Sequence, residues 1–133
     1  MMRYMLDTNI CIELIRGRGA GVIDKIKALH VNDIGLSVIT YAELEHAIWK
    51  STRPEQNKIA LSLFCAPLEI ASFESDTAAA YGRLRADLER ADKLIGPMDL
   101  LIAAHALALS CILVTNNERE FCRVEGLQVE NWL

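Results

Sequence analysis

Two spacings of apolar residues alternate along the chain. Short apolar runs at 3–6, 34–36 and 112–115 predict strands, and 68–71 predicts a weaker one because Glu69 interrupts it. A last run at 127–129 predicts an edge strand. Between them, apolar residues return every three or four positions, the spacing of one helix face. Ile10, Leu14 and Ile15 predict a helix that starts after Asp7-Thr8-Asn9 and stops around Gly17-Arg18-Gly19. Val22, Ile23, Ile26 and Leu29 predict another over 21–30, and Tyr41, Leu44 and Ile48 a third that Ser37 can cap. Pro54 suits the first turn of a fourth, carrying Ile59, Leu61, Leu63 and Phe64. Ala78, Tyr81, Leu84 and Leu88 extend over 75–91, Gly96-Pro97 opens a helix to about Leu109, and 117–123 is a short last one. Strands alternating with helices predict an α/β fold, a three-layer α/β/α sandwich around a short parallel central sheet.

Composition narrows this picture. With 133 residues, three Pro, seven Gly and no low-complexity tract, the chain is expected to form a single domain over 1–133. Hydrophobic residues at 52% and charged residues at 24% exclude a disordered or fibrous chain. A mean hydropathy of +0.19 is high for a small domain and implies apolar surface covered by a partner or a second copy. The apolar stretch 100–114, broken by His105 and Ser110, is shorter than the ~20 residues of a membrane span. No export signal is visible, and Cys11, Cys65, Cys111 and Cys122 lack ligand-like spacing, so reduced, mostly buried thiols in a cytoplasmic protein are expected. A net charge of −4 argues against gripping nucleic acid by bulk positive charge.

The acids carry the chemistry. In a parallel sheet the loops after strands lie at the carboxyl edge, where ligands bind. Asp7 follows the first strand directly, Glu43 lies in the second turn of the helix after the second, and Glu120 lies near the start of the helix after 112–115. Asp99 begins a helix that precedes a strand, which also starts at that edge. Without these four, the remaining acids equal the 14 Lys and Arg in number. Gathered carboxylates repel unless they share a cation, and oxygen-only ligation selects Mg²⁺ or Mn²⁺ over zinc. Such a cation suits hydrolysis of a phosphodiester. Each acid also has a plainer reading: Asp7 as a helix cap, Glu43 in a salt bridge, Asp99 favouring a helix dipole and Glu120 as a solvated surface acid.

Met5-Leu6-Asp7-Thr8-Asn9, Ser37-Val38-Ile39-Thr40-Tyr41-Ala42-Glu43-Leu44, Gly96-Pro97-Met98-Asp99 and Val114-Thr115-Asn116-Asn117 with Glu120-Phe121 together resemble PIN-domain ribonucleases. More narrowly they resemble the VapC toxins of bacterial VapBC toxin–antitoxin modules, along essentially the whole chain to Val129-Glu130-Asn131-Trp132-Leu133. Each motif is short, but the four in order at these spacings are specific. The resemblance implies a Mg²⁺-dependent endoribonuclease, with Mn²⁺ as an alternative ion. Asp7, Glu43 and Asp99 would hold the metal and activate water, and Glu120 would be the fourth catalytic acid. Thr8 or Asn9 would brace Asp7, and Thr115 and Asn116 would steady the rim. Many relatives carry Asp where this chain has Asn117, which brings an oxygen but no charge and puts a second tightly held metal in doubt. The implied substrate is a structured RNA, foremost a tRNA cut in its anticodon region, with initiator tRNA favoured by enterobacterial relatives that share Thr-Asn-Asn. Products would carry 5′-phosphate and 3′-hydroxyl ends. A homodimer bound by a VapB antitoxin is also implied, with DNA contacted only through the antitoxin.

Among basic residues, Arg16 and Arg18 are expected to flank the rim near Asp7, and Arg83 and Arg90 share a helix face that Lys93 extends, as candidate RNA contacts. His105, six residues after Asp99 in an apolar helix, is expected to be a core histidine, while His46 stays open as a base. Trp49, Trp132 and Phe121 are expected to pack rather than stack bases. The surplus of apolar residues at Ile10, Ile12, Leu14, Ile15, Val22 and Ile26 predicts a groove for an amphipathic antitoxin helix, or an intimate homodimer. Two other readings compete. A phosphatase of the haloacid-dehalogenase type wants a second Asp two residues after the first, where this chain has Asn9. A catalytically inactive PIN-like scaffold that binds RNA or protein has Asn117 in its favour and the three acids Asp7, Glu43 and Asp99 against it.

Overall fold

The computed structural model describes residues 1–133. Its centre is a five-stranded, all-parallel sheet built from β1 (Tyr4–Leu6), β2 (Ile34–Ser37), β3 (Glu69–Ala71), β4 (Ile112–Val114) and β5 (Val129–Glu130), in the order β3-β2-β1-β4-β5. Tyr4 pairs with Ile34 on one side and with Ile112 on the other, so β1 is the central strand. Around the sheet lie α1 (Thr8–Ile15), α2 (Ala20–Lys27), α3 (Val38–Trp49), α4 (Pro54–Cys65), α5 (Ser75–Arg90), α6 (Pro97–Ala108) and α7 (Glu118–Phe121). This is the α/β/α sandwich that the alternation of spacings predicts, with element ends moved by one to three residues. The largest shift is at α2, which ends at Lys27 and passes through a 3₁₀ turn, Val31–Asp33, before β2.

Strand periodicity sorts the core into two layers. Met5 and Leu113 point into a cluster with Leu84, Leu88, Leu100 and Ile102, beneath α5 and α6. Leu6, Ile34, Leu36 and Val114 point the other way, against Ile10, Leu44, Ile48 and Leu61 of α1, α3 and α4. Trp132 closes that second layer at 6% exposure, tilted against Tyr4 with ring centroids 5.1 Å apart. Phe121 is fully buried, so both residues pack as expected. Trp49 does not: it is 70% exposed, because α3 presents it on the face away from the sheet. Of the thiols, Cys11 and Cys111 are buried, Cys65 is intermediate and Cys122 is exposed. No helix is long and apolar enough to cross a membrane.

Gly35 sits where the first layer is tightest. A Cβ there would lie 2.2 Å from Cε of Met2 and 2.5 Å from the backbone oxygen of Glu69, on the neighbouring strand. Met2 can yield, but the β3 backbone cannot without disturbing the sheet. Gly82, exposed in the interior of α5, has nothing within 4 Å of such a Cβ. Gly35→Ala is therefore expected to lower unfolding free energy by about 1–3 kcal/mol, while Gly82→Ala raises it by roughly 0.5–1 kcal/mol. Urea denaturation of the two variants checks the opposite signs.

Candidate active site

Asp7 is the first residue past β1, and the neighbouring strands fix it. Its N–H still donates to the carbonyl of Val114 at 2.9 Å, so the backbone remains bonded to β4 as the chain leaves the sheet. Its side chain then caps α1, with Oδ1 accepting the N–H of Thr8 at 2.8 Å. Oδ2 accepts the hydroxyl of buried Thr115 at 2.7 Å, and Thr115 Oγ1 accepts the N–H of Asn117 at 3.0 Å. The residue is only 3% exposed. Burial pushes its pKa above the ordinary carboxylate range; the bonds from Thr115 and Thr8 oppose the rise, and the charges of Glu43 and Glu120 add to it.

The other acids close on this point. Glu43 enters from α3 and accepts the hydroxyl of Thr8 at 2.6 Å through Oε1. The Thr40 hydroxyl, one turn earlier on α3 and fully buried, stands 3.4 Å from that of Thr8. Asp99 lies in the first turn of α6. Glu120 on α7 accepts the N–H of Gly96 at 2.8 Å through Oε1 and the side-chain amide of Asn117 at 2.6 Å through Oε2. These bonds draw Glu120 below its ordinary pKa, the Gly96 N–H most strongly. Asp99 moves the opposite way, up to about 7, through burial first, then a hydrogen bond with Glu120 and the charges of Asp7, Glu120 and Glu43. The two neighbouring carboxyl groups are thus pushed in opposite directions.

Such a rim has one chemical deficit. Two carboxyl groups, Asp7 and Asp99, are driven toward the neutral form by burial and by the negative charge of their neighbours. The donors are all oxygens, so the set fits a hard divalent cation rather than zinc. No three His, Cys, Asp or Glu side chains are already disposed as a metal cage. What the donor set offers is a cluster of acids whose ionisation a cation would favour, braced by the two threonines and one asparagine.

Several expected contributors stand elsewhere. Asn9 and Asn116 are exposed and bond to none of the acids, so bracing falls to Thr8, Thr115 and Asn117. Arg16 and Arg18 do not flank Asp7. The helix α1 starts at the rim and runs away from it, carrying Arg16 about 12 Å along its axis, while Arg18 pairs with Glu13 at 3.0 Å. Arg83 is exposed on α5, and Arg90, which pairs with Asp87 at 3.2 Å, lies at its end, where the chain turns back toward Gly96. His46 is exposed and holds none of the acids. Sequence reasoning overlooked the backbone N–H of Gly96, which no side-chain pattern advertises. It also overlooked Thr40, whose spacing three residues before Glu43 was the available signal.

Residues 4–127 match the family model described as PIN domain. The chain is 43% identical over 132 residues to Ribonuclease VapC2 of Rickettsia felis, a match covering 98% of each chain. It is 38% identical over 132 residues to the tRNA(fMet)-specific endonuclease VapC of Shigella flexneri, covering 99% of each. Its structure superposes with a TM-score of 0.94 and 42% identity on a chain in the crystal structure of VapBC2 from Rickettsia felis bound to a DNA fragment from their promoter, covering 99% of this chain and 100% of that one. By the family model that matches most of its length and by its identity to these relatives, the chain belongs to the PIN-domain family and, within it, to the VapC ribonucleases.

Proposed function

We propose that this chain is the toxin of a VapBC-type pair and hydrolyses phosphodiester bonds of a structured RNA, a tRNA in its anticodon region, with Mg²⁺ as cofactor and Mn²⁺ able to replace it. The observation that carries this reading is the convergence of Asp7, Glu43, Asp99 and Glu120, with Asp7 and Asp99 both pushed toward protonation. Asp7, Glu43 and Asp99 are the residues that would hold the ion. Bound there, Mg²⁺ would supply positive charge against phosphate oxygens and make water easier to deprotonate. Thr8 orients the carboxylates of both Asp7 and Glu43, and Thr115 fixes Asp7 from the opposite side. Glu120, anchored by the Gly96 N–H and the Asn117 amide, is held ionised at the rim, where it can accept a proton. Attack by water leaves 5′-phosphate and 3′-hydroxyl ends. Arg83, Arg90 and Lys93 supply phosphate contacts on the side where α5 returns to the rim. The tRNA assignment is supported by the Shigella relative, which is named for tRNA(fMet).

The antitoxin reading rests on a groove between α1, α3 and α4, lined by Ile12, Ile15, Leu44, Ile48 and Leu61. It suits the apolar face of an amphipathic VapB segment, and several structural neighbours are VapBC complexes. Exposed Trp49, Ile59 and Leu63 on α3 and α4 support a homodimer in addition. DNA would be reached only through the antitoxin, and the whole assembly would act in the cytoplasm.

Purified, antitoxin-free protein is expected to cut bulk tRNA into defined fragments with Mg²⁺ and to leave it intact with EDTA. Asp7→Asn is expected to lower the rate on the order of 10²–10⁴-fold with the fold retained, as circular dichroism would check. Unchanged cleavage by Asp7→Asn would remove Asp7 from the chemistry. Absence of both cleavage and Mg²⁺ binding in folded wild-type protein would favour the binding-only scaffold. The Asp99 shift sets a second expectation. Below about 7 the Asp99 carboxyl is protonated and a cation must displace that proton; above it the site is already ionised. Mg²⁺ affinity is therefore expected to rise with pH through about 7 and then level off. Calorimetry in buffers of different ionisation enthalpy should show protons released at pH ~6 and few at pH ~8.5. A flat profile would show that Asp99 ionises well below neutrality.

A further inference from the structure

His105 is fully buried in the last turn of α6, and both of its ring nitrogens are used. Nε2 lies 3.1 Å from the carbonyl oxygen of Ser72, just past β3. A carbonyl can only accept, so Nε2 carries the proton and donates it. The neutral ring then leaves Nδ1 as an acceptor, and it takes the hydroxyl proton of Ser37 at 2.7 Å. Ser37, also fully buried, is the cap of α3, and its Oγ accepts the N–H of Ile39 at 3.0 Å. A directed chain of hydrogen bonds therefore runs from the first turn of α3, through Ser37 and the imidazole, to the backbone beyond β3. The ring of Phe73 packs edge-on against the imidazole, with centroids 5.4 Å apart, and holds its plane.

The location of this chain gives it a role. The Ser37–His105 bond joins the start of α3 to the last turn of α6. Glu43 follows Ser37 by six residues on α3, and Asp99 precedes His105 by six on α6. These acids come from segments more than 50 residues apart, and no hydrogen bond joins Glu43 directly to Asp99. We infer that His105 is a positioning residue for the site: through Ser37 it fixes the helix bearing Asp99 against the helix bearing Glu43, and so sets the spacing of two acids on which the cation and the reaction depend. The inference rests on the metal-nuclease reading above. It concerns geometry and not proton transfer, because the ring touches none of the four acids.

Two conservative variants separate positioning from bulk stability. In His105→Asn the amide oxygen falls near the place of Nδ1 and can still accept from Ser37, but the contact with Ser72 is lost. In His105→Gln the longer side chain reaches toward Ser72 and leaves Ser37 without its acceptor. Both disturb a packed site, so melting temperature is expected to fall in each. Cleavage of tRNA is measured at the same interval below each melting point, together with Mg²⁺ affinity by calorimetry. His105→Asn is expected to keep kcat and Mg²⁺ affinity within a few-fold of wild type. His105→Gln is expected to lose kcat by roughly ten- to a hundredfold and to bind Mg²⁺ more weakly, with KM for tRNA little changed. If neither His105 variant folds, Ser37→Gly removes the same bond while keeping a residue tolerated as a cap, and the same loss in kcat and Mg²⁺ affinity is expected. Equal kcat and Mg²⁺ affinity in the Asn and Gln variants, or an unimpaired Ser37→Gly, would overturn the inference while wild-type cleavage kept the nuclease reading intact. Wild-type protein that neither cuts tRNA nor binds Mg²⁺ would overturn both.

Discussion

Like charges brought together on a rigid edge are the constraint on which the rest of the molecule depends. Asp7 cannot retreat: its backbone is bonded to β4, its carboxyl group caps α1 and Thr115 bonds it from the far side. Glu43, Asp99 and Glu120 then arrive on three different helices, and their repulsion has to be carried by the scaffold. The scaffold carries it with donors. Thr8, Thr115, Asn117 and the Gly96 N–H each give a proton to one of these acids or to a residue that holds it. A central parallel sheet makes this possible, because β1 and β4 end side by side and their successors, Asp7 and Thr115, are neighbours by register.

This dependence explains what was legible from the amino-acid sequence. Strand and helix positions follow from spacing, since a face that must be buried imposes its period on the chain. Carboxyl-edge placement of Asp7, Glu43, Asp99 and Glu120 follows from topology alone, which is why four short motifs sufficed to bring them together. Direction along a helix was harder. Arg16 is near Asp7 in number, yet a helix that begins at the rim carries each later residue 1.5 Å further away. Backbone donors were illegible for a different reason: Gly96 has no side chain to mark the N–H that anchors Glu120. Trp49 was misread because helical spacing shows that a face exists without showing which neighbour covers it.

The apolar surplus has a physical address. Of the surplus in the first half of the chain, Ile12 and Ile15 meet Leu44, Ile48 and Leu61 between α1, α3 and α4, whereas Ile10 and Val22 are fully buried in the core; Trp49, Ile59 and Leu63 lie open on α3 and α4. The second core layer thus continues to the surface on the side opposite α5 and α6. That asymmetry separates tasks within one small sheet. The layer beneath α5 and α6 holds Asp99 and His105 in place, and the other layer leaves apolar side chains exposed on α3 and α4.

Asn117 shows how finely the rim is balanced. Its amide lies 2.6 Å from Glu120 Oε2, and its own N–H is tied to Thr115, which holds Asp7. A carboxylate at this position would face that of Glu120 oxygen to oxygen and raise the pKa of both. The neutral amide instead donates and draws Glu120 below its ordinary pKa. Position 117 and position 120 therefore act as a pair: absence of charge at one allows the other to bring it in from α7. Glu120 is bonded to the Gly96 turn at the entrance of α6, so α7 helps to place Asp99 as well as to supply an acid of its own.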